Sequence, residues 1–420
     1  MAITSADIDQ TTTADEDAIL EGLMSFIDKT VLPIQAEVQA YFNDIRLYFD
    51  NDGKEAIAVS EARRRVRRAS AQAGYYNIFT PTELGGEGMS MRFFVRVTEA
   101  LYEKYGPSEP QELLAYDALA NVFTGAGPIW NHASDELKAI ALPKVLAGEW
   151  QGSFGMSEPD AGSDLWSMRT TAVRDGDHWV INGGKQWTSW VAHADYLFVF
   201  AITDPEKFAA RKGGISCFFV PTDTPGYKLE STIRLFQDAG GNEGITSYTD
   251  VRVPDAYRIG DEGDGLAMGF LTLTTTRLWV VARGIGEGRW AFNKCRDYSQ
   301  VRKTFGKTIS QHQSVQNLLA DMATELYAAH SMTMNCAARA DAGDDVRLET
   351  HIVKYFGTNA CTRVFDNAIQ LHGGMGVTAE TKMVDGWRYS RICRITEGTD
   401  QIMQRSIAAH TLREGLPSWS

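Results

Sequence analysis

The apolar residues of this chain change their spacing twice, and that double change bounds the folds open to it. Up to about residue 150 they recur every three to four positions, as on the buried side of an α-helix. From there to about residue 258 they gather in short β-rich runs separated by turn residues. Beyond about residue 259 the helical spacing returns. The pattern predicts an α+β multidomain chain: an N-terminal helical domain over 1–150, a central β-barrel or sandwich domain over 151–258, and a C-terminal four-helix bundle over 259–420. At 420 residues the chain is too long for one hydrophobic core, so two or three domains are expected on length alone. No repeat of fixed period is present.

Taken in order, residues 1–14 are expected to be a disordered lead-in. A helical stripe then runs through Ile19, Leu23, Phe26, Ile27, Val31 and Ile34, and Pro33 is expected to kink or restart it. A second helix, about 55–73, carries Arg63, Arg64, Arg65, Arg67 and Arg68, which read either as a solvated face or as an anion or partner site. Further helices are expected over about 92–105, about 111–121, and from Asp135 to near Gly148. Strands are expected over 150–156, 170–174, 179–182, 196–203, 215–221, 227–231 and 244–253, with Asn182-Gly183-Gly184 as a hairpin turn. The last block predicts helices over about 266–300, through Val315–Ala329, through Val353–Leu371, and after Thr399.

The formal net charge of −13 argues against nucleic acid or an anionic membrane as the main partner. The five cysteines are widely spaced, with no Cys-x-x-Cys, which suits reduced thiols and a cytoplasmic setting. The acidic, Thr-rich start has no signal-peptide pattern, and no uninterrupted apolar run reaches membrane length. The eight histidines are scattered, so no metal site is expected. A Gly-x-Ser-x-Gly elbow, a Walker loop and a His-Glu-x-x-His motif are all missing from the sequence. Gly284-Ile285-Gly286-Glu287-Gly288 lies inside a helical pattern and reads as helix packing rather than a dinucleotide loop.

Five segments carry chemistry. Ser157-Glu158-Pro159-Asp160-Ala161-Gly162-Ser163-Asp164 ends a β run with hydroxyls and small residues, whose backbone N–H groups suit a polar ring edge or an anion. Lys185-Gln186-Trp187-Thr188-Ser189 offers a flat indole beside hydroxyls. Arg302-Lys303-Thr304-Phe305-Gly306, followed by His312 and Gln313, offers a guanidinium for a pyrophosphate. Gln370-Leu371-His372-Gly373-Gly374-Met375-Gly376 ends a helix in a Gly loop. Arg394-Ile395-Thr396-Glu397-Gly398-Thr399-Asp400-Gln401 puts a carboxylate on a tight turn ahead of a helix that Thr399 or Asp400 can cap. There Glu397 reads as a general base or as a residue complementing the helix dipole.

In this order the five segments resemble the signatures of the acyl-CoA dehydrogenase family, and the likeness covers nearly the whole chain. The resemblance implies the helical–β–helical fold, an FAD cofactor, an acyl-CoA substrate, an electron-transfer flavoprotein as acceptor, and a homotetramer built as a pair of dimers. It implies that Met156, Ser157, Gly162 and Ser163 line the flavin, that Trp187 covers one flavin face, and that Ser189 hydrogen-bonds the ring. It assigns Arg302, Thr304, Phe305 and Gln313, with Gln370, Gly373 and Gly374, to the FAD of a neighbouring subunit. Thr399 and Gln401 fall to the FAD of their own subunit, and Ser163, Arg277 and Gly398 to the substrate. Glu397 matches the catalytic base.

Three departures from the family pattern bear on the substrate. Thr396 stands where relatives often have a bulky residue, Thr274-Thr275-Thr276 where they often carry an acid, and Trp190 where many have a small polar residue. The expected substrate is a bulky, branched or ring-bearing acyl thioester. A flavin oxidase or monooxygenase of the same superfamily, or a catalytically silent flavoprotein scaffold, are the alternatives; Glu397 counts against both.

Overall fold

A computed structural model of the chain describes residues 5–50, 54–107, 114–122, 124–233, 235–236 and 243–419, the side chains of 5–13 and 45 excepted. The chain forms two compact units: Met1–Met89 with Pro110–Thr272, and Ser90–Glu109 with Leu273–Ser420.

The first unit opens with α1 (Ser5–Phe26), α2 (Leu32–Asn43), α3 (Ile45–Tyr48) and α4 (Ile57–Gln72). Helix α1 starts at Ser5, so residues 5–14 are helical where a disordered lead-in is expected from sequence; residues 1–4 lie outside the described ones. A π-helical turn at Ile27–Val31 precedes Pro33, which enters the first turn of α2, where its missing N–H costs nothing. Next in the chain is α5 (Met91–Tyr105), which belongs to the second unit. The helix expected over 111–121 is only a 3₁₀ turn, Leu114–Ala118, and residues 111–113 lie outside the described ones. Then comes α6 (Asp135–Leu146), capped by the Ser134 hydroxyl.

The sheet follows as β1 (Gly152–Gly155), β2 (Thr171–Asp175), β3 (His178–Thr188), β4 (Tyr196–Ile202), β5 (Ile215–Pro221), β6 (Tyr227–Ile233), β7 (Glu243–Pro254) and β8 (Arg258–Ile259), with the short α7 (Pro205–Ala209) between β4 and β5. The strand order is β6-β7-β3-β2-β4-β5-β8, and β1 pairs parallel with β4. The hairpin between β2 and β3 turns at Gly176, pairing Asp175 with His178. Asn182-Gly183-Gly184 is therefore not a turn. It lies inside β3, where the register slips between Ile181 and Gly183, and a Cβ at Gly183 would sit 2.5 Å from Thr170 Oγ1.

Every residue of β4 is buried, which explains its unbroken apolar run. Tyr196, Phe198 and Phe200 face a cluster built on Trp130 and α6. Leu197, Val199 and Ala201 face Trp179 of β3, Phe218 of β5 and Val251 of β7. Residues from distant strands thus share one core, and the sheet curls over itself. A short helix, α8 (Gly265–Phe270), closes the unit.

The arginine cluster on α4 is mainly neither a solvated face nor an open anion site. Arg63 and Arg67 are buried. Arg63 Nε donates to Glu55 Oε1 at 2.8 Å and its Nη1 to Asp117 Oδ2 at 2.7 Å; Arg67 Nη1 donates to Gln151 Oε1 at 2.7 Å. Arg64 and Arg65 make outer ion pairs with Glu61 and Glu37. The acids that bury Arg63 come from flanking segments that no helical periodicity ties to α4. Burial works to raise the Glu55 carboxyl, but Arg63 and His193 outweigh it and hold the group at about 2.

The second unit gathers α5 with α9 (Leu273–Val301), α10 (Gln313–Asp341), α11 (Arg347–His372), α12 (Met383–Cys393) and α13 (Asp400–Glu414). A two-stranded ribbon, β9 (Lys303–Thr304) with β10 (Lys307–Thr308), joins α9 to α10. The single helix expected over 266–300 is divided at 271–272 into α8 and α9. The stretch Gly265–Val301 is long and apolar enough to cross a bilayer by composition, yet half of its most apolar window is buried inside the protein, as in a core helix. Its glycines allow close packing. A Cβ at Gly286 would meet Glu99 O of α5 at 2.4 Å, and one at Gly284 would meet Cys361 Sγ of α11 at 2.8 Å. All five cysteines are buried and none is in a disulfide.

Replacing Arg63 by Met would take the guanidinium from buried Glu55 and leave Asp117 with Arg67 alone, at 3.4 Å. We expect a loss of ~3–5 kcal/mol in urea unfolding of the first unit. Because Glu55 is held at about 2, below an unfolded value of ~4.3, its stabilisation is complete above that unfolded value. It is lost as pH falls towards 2, and a pH series of the same unfolding curves reads this.

Candidate active site

Glu397 sits in the turn between α12 and α13, and both it and Gly398 have positive φ, +56° and +97°. A non-glycine residue there carries a cost of ~1–2 kcal/mol, so the surroundings must hold it. They do so from three sides. Arg277 Nε of α9 donates to the Glu397 carbonyl at 3.0 Å. Lys354 Nζ of α11 donates to the Gly398 carbonyl at 2.6 Å. Asp400 accepts from Arg394 Nε at 2.9 Å and from Asn359 Nδ2 at 3.0 Å, tying the two ends of the turn together.

Of the two candidate caps for α13, Thr399 is the one used, its hydroxyl accepting from Ile402 N at 3.3 Å. The Glu397 carboxylate accepts from the Thr276 hydroxyl at 3.2 Å. Its pKa is raised: desolvation by burial pushes it up, and the cations of Arg277 and Lys354 only partly offset that. A carboxylate so placed is a stronger base than an exposed one. Gly398 is required twice, by its φ and because a Cβ would lie 2.6 Å from Met403 Cε.

The sheet-borne residues lie in the first unit. Gln186 N donates to Ser157 O at 2.9 Å, which brings the 157–164 loop beside the end of β3. Met156, Ser157 and Ser189 are part-buried there, while Gly162 and Ser163 are exposed further round the loop. Trp187 has φ +65° and is 50% exposed, just ahead of the hydroxyl-bearing Thr188 and Ser189. Next to it Thr188 Oγ1 is buried with no hydrogen-bond partner. Such a surface fits a planar ring with polar edges.

The remaining predicted residues lie at one end of the second unit. Arg302, Thr304 and Phe305 are on the ribbon after α9, and Gln313 opens α10; Phe305 is almost wholly exposed, with φ +49°. Gln370, Gly373 and Gly374 are exposed at the end of α11. Tyr298 of α9 stacks on His372 of α11 with ring centroids 4.6 Å apart, so the ribbon and the Gly loop share that end. Arg277 and Glu397 lie towards the other end of α9. Along the helix rise, 277 and 301 are ~36 Å apart. One copy of the unit therefore does not bring Glu397 together with Arg302 and Gly373.

Three residues were quoted within motifs or left unremarked, yet the geometry gives them work. Glu158 is buried and accepts from Arg169 N at 2.6 Å, Thr170 N at 3.0 Å and Lys185 Nζ at 2.7 Å. Lys185, also buried, reaches Met156 O at 3.3 Å, so this pair pins the loop to β3. The sequence signal for this pair is a Glu in one motif and a Lys in the other, opposite charges with no other assigned role. Lys354 had no such signal, standing beside the apolar stripe of α11 among polar residues such as His351, Thr358 and Asn359. Among the described residues no three His, Cys, Asp or Glu converge as a metal site would need.

Comparison with known proteins identifies the family. The acyl-CoA dehydrogenase N-terminal domain matches residues 13–149, the middle domain residues 153–241 and the C-terminal domain residues 262–412. The Bacillus subtilis protein named "Probable acyl-CoA dehydrogenase YngJ" is 33% identical over 342 residues, 81% of this chain and 88% of its own. The caffeyl-CoA reductase–Etf complex subunit CarC of Acetobacterium woodii is 30% identical over 344 residues, 82% of this chain and 88% of its own. The solved structure of butyryl-CoA dehydrogenase from Megasphaera elsdenii superposes with a TM-score of 0.78 at 25% identity, covering 95% of this chain and 98% of that one. With its helical start, central sheet, C-terminal helices and all three domain matches, the chain belongs to the acyl-CoA dehydrogenase family and is a flavin-dependent oxidoreductase.

Proposed function

We propose that the protein catalyses the FAD-dependent α,β-dehydrogenation of an acyl-CoA thioester, with Glu397 as the base that takes the α-proton. The observation that carries this is the desolvated Glu397 carboxylate on a left-handed turn held by Arg277, Lys354 and Asp400. The α-hydrogen of a thioester is weakly acidic in water. A base with a raised pKa lies closer to it, and a hydrogen bond from the Glu397 backbone N–H to the thioester oxygen would stabilise the developing enolate, such donors being worth ~3–4 kcal/mol. A bound flavin would supply the hydride acceptor for the β-carbon.

The half-exposed Trp187, the Ser157 and Ser189 hydroxyls, Met156, Gly162 and Ser163 suit the ring, and Thr399 and Gln401 suit the same FAD. The length of α9 supports assigning Arg302, Thr304, Phe305, Gln313, Gln370, Gly373 and Gly374 to the FAD of another subunit, in a homotetramer. Ser163, Arg277 and Gly398 are assigned to the substrate. A relative named as part of an Etf complex supports an electron-transfer flavoprotein as acceptor. The buried, unpaired cysteines suit a cytoplasmic setting. Thr396, exposed and small beside the base, supports a bulky, branched or ring-bearing acyl group.

Glu397→Gln is expected to keep its flavin and lose ~10²–10⁴-fold in the rate of anaerobic flavin bleaching by acyl-CoA. Full activity in that variant removes Glu397 from the role. In the wild type the bleaching rate should rise with pH through a midpoint above the ordinary carboxylate value of ~4.3, because the base acts ionised and burial raises its pKa. An acyl-CoA panel tests the substrate class: branched or cyclic acyl groups should bleach the flavin faster than straight medium chains, and the reverse order rules that class out.

A further inference from the structure

We propose that Lys354 is a positioning residue for the Glu397 base, holding the 397–398 turn in its left-handed form. This rests on the reading of Glu397 as the base.

Lys354 lies in mid-α11 and is fully buried, with 0% of its surface exposed. Its ammonium donates to a carbonyl, Gly398 O, at 2.6 Å, rather than to a carboxylate. Burying a cation for one carbonyl is unfavourable, and an apolar side chain of similar volume would fill the space without that cost. The charge therefore has a use at this spot. The carbonyl it takes follows directly on Glu397, and Arg277 takes the one before. Two successive left-handed residues turn both carbonyls into the helical unit, and each meets a cation there.

The charged and titratable groups around Lys354 are Glu397 and Asp400 from the turn, Arg277 from α9 and the Cys393 thiol from α12. Asp400 Oδ2 is engaged by Arg394 and Asn359, while its buried Oδ1 has no hydrogen-bond partner among the described residues. Arg277 repels an ammonium. Asp400 and Glu397 are thus both anions that the Lys354 charge faces, and at Glu397 it acts, with Arg277, against the desolvation that raises that carboxyl. Burial also lowers Lys354 itself to about 8, so it is mostly charged at neutral pH.

The test compares wild type, Lys354→Gln, Lys354→Met and Glu397→Gln in anaerobic stopped-flow bleaching of the flavin, using the acyl-CoA of the panel that reduces the wild type fastest. Gln keeps a donor without the charge; Met keeps neither. Both Lys354 variants should retain flavin, and the Met variant should lose ~10-fold or more of the rate at neutral pH. The Gln variant should show its pH midpoint displaced upward, since removing a nearby cation raises a carboxyl. Wild-type rates and an unmoved midpoint in both, with Glu397→Gln inactive, would overturn the role of Lys354 alone. Wild-type bleaching by Glu397→Gln would remove the base reading itself. If neither Lys354 variant folds with flavin bound, the residue is a stability element and the positioning role falls.

Discussion

The site depends on a piece of backbone in a conformation it would not adopt by itself. Glu397 and Gly398 are both left-handed, and only the second is a residue that takes this conformation readily. The turn is kept by hydrogen bonds from outside it: a guanidinium on one carbonyl, an ammonium on the next, and a carboxylate bridging its ends. Each partner comes from a different helix or from the flank of the turn. The helices are thus needed for more than burying apolar surface. Their arrangement decides where the carboxylate stands.

The first unit uses the same device on its own functional loop. There the cation is Lys185, on β3, and it takes the Glu158 carboxylate and the Met156 carbonyl together. Burial lowers Lys185 to about 8, and the pair still keeps Glu158 below its ordinary value. In both units a buried lysine anchors an irregular segment whose own side chains remain available to a ligand. A buried charge is expensive, and that expense makes the geometry specific: a shift of the segment would strand the cation without its partner.

Much of this was legible in the sequence. Apolar spacing gave the helical, β and helical blocks, because one face of each element must be covered and the spacing records which. The Gly beside Glu397 marked a tight turn, and the glycines of α9 marked close helix packing. What could not be read was pairing across distance. The burial of Arg63 depends on Glu55 and Asp117, and nothing in the periodicity of α4 points to either. Gly183 looked like a turn because Asn-Gly-Gly usually is one, but its neighbour Thr170 is a strand contact that only the register reveals. The packing of α5 with α9 joins segments some 180 residues apart in the chain, beyond any local signal.

The glycines of α9 have a further consequence, for assembly. Each lowers the intrinsic helix stability by ~1 kcal/mol relative to alanine, so this helix is poorly able to persist before it docks. Gly286 receives α5, Gly284 receives α11 and Gly288 receives Leu326 of α10. The longest-range contacts must therefore form together with the helix rather than after it. The bundle's helices are then expected to gain their order together with their long-range contacts, and a nascent chain lacking α11 is expected to leave part of the apolar surface of α9 uncovered.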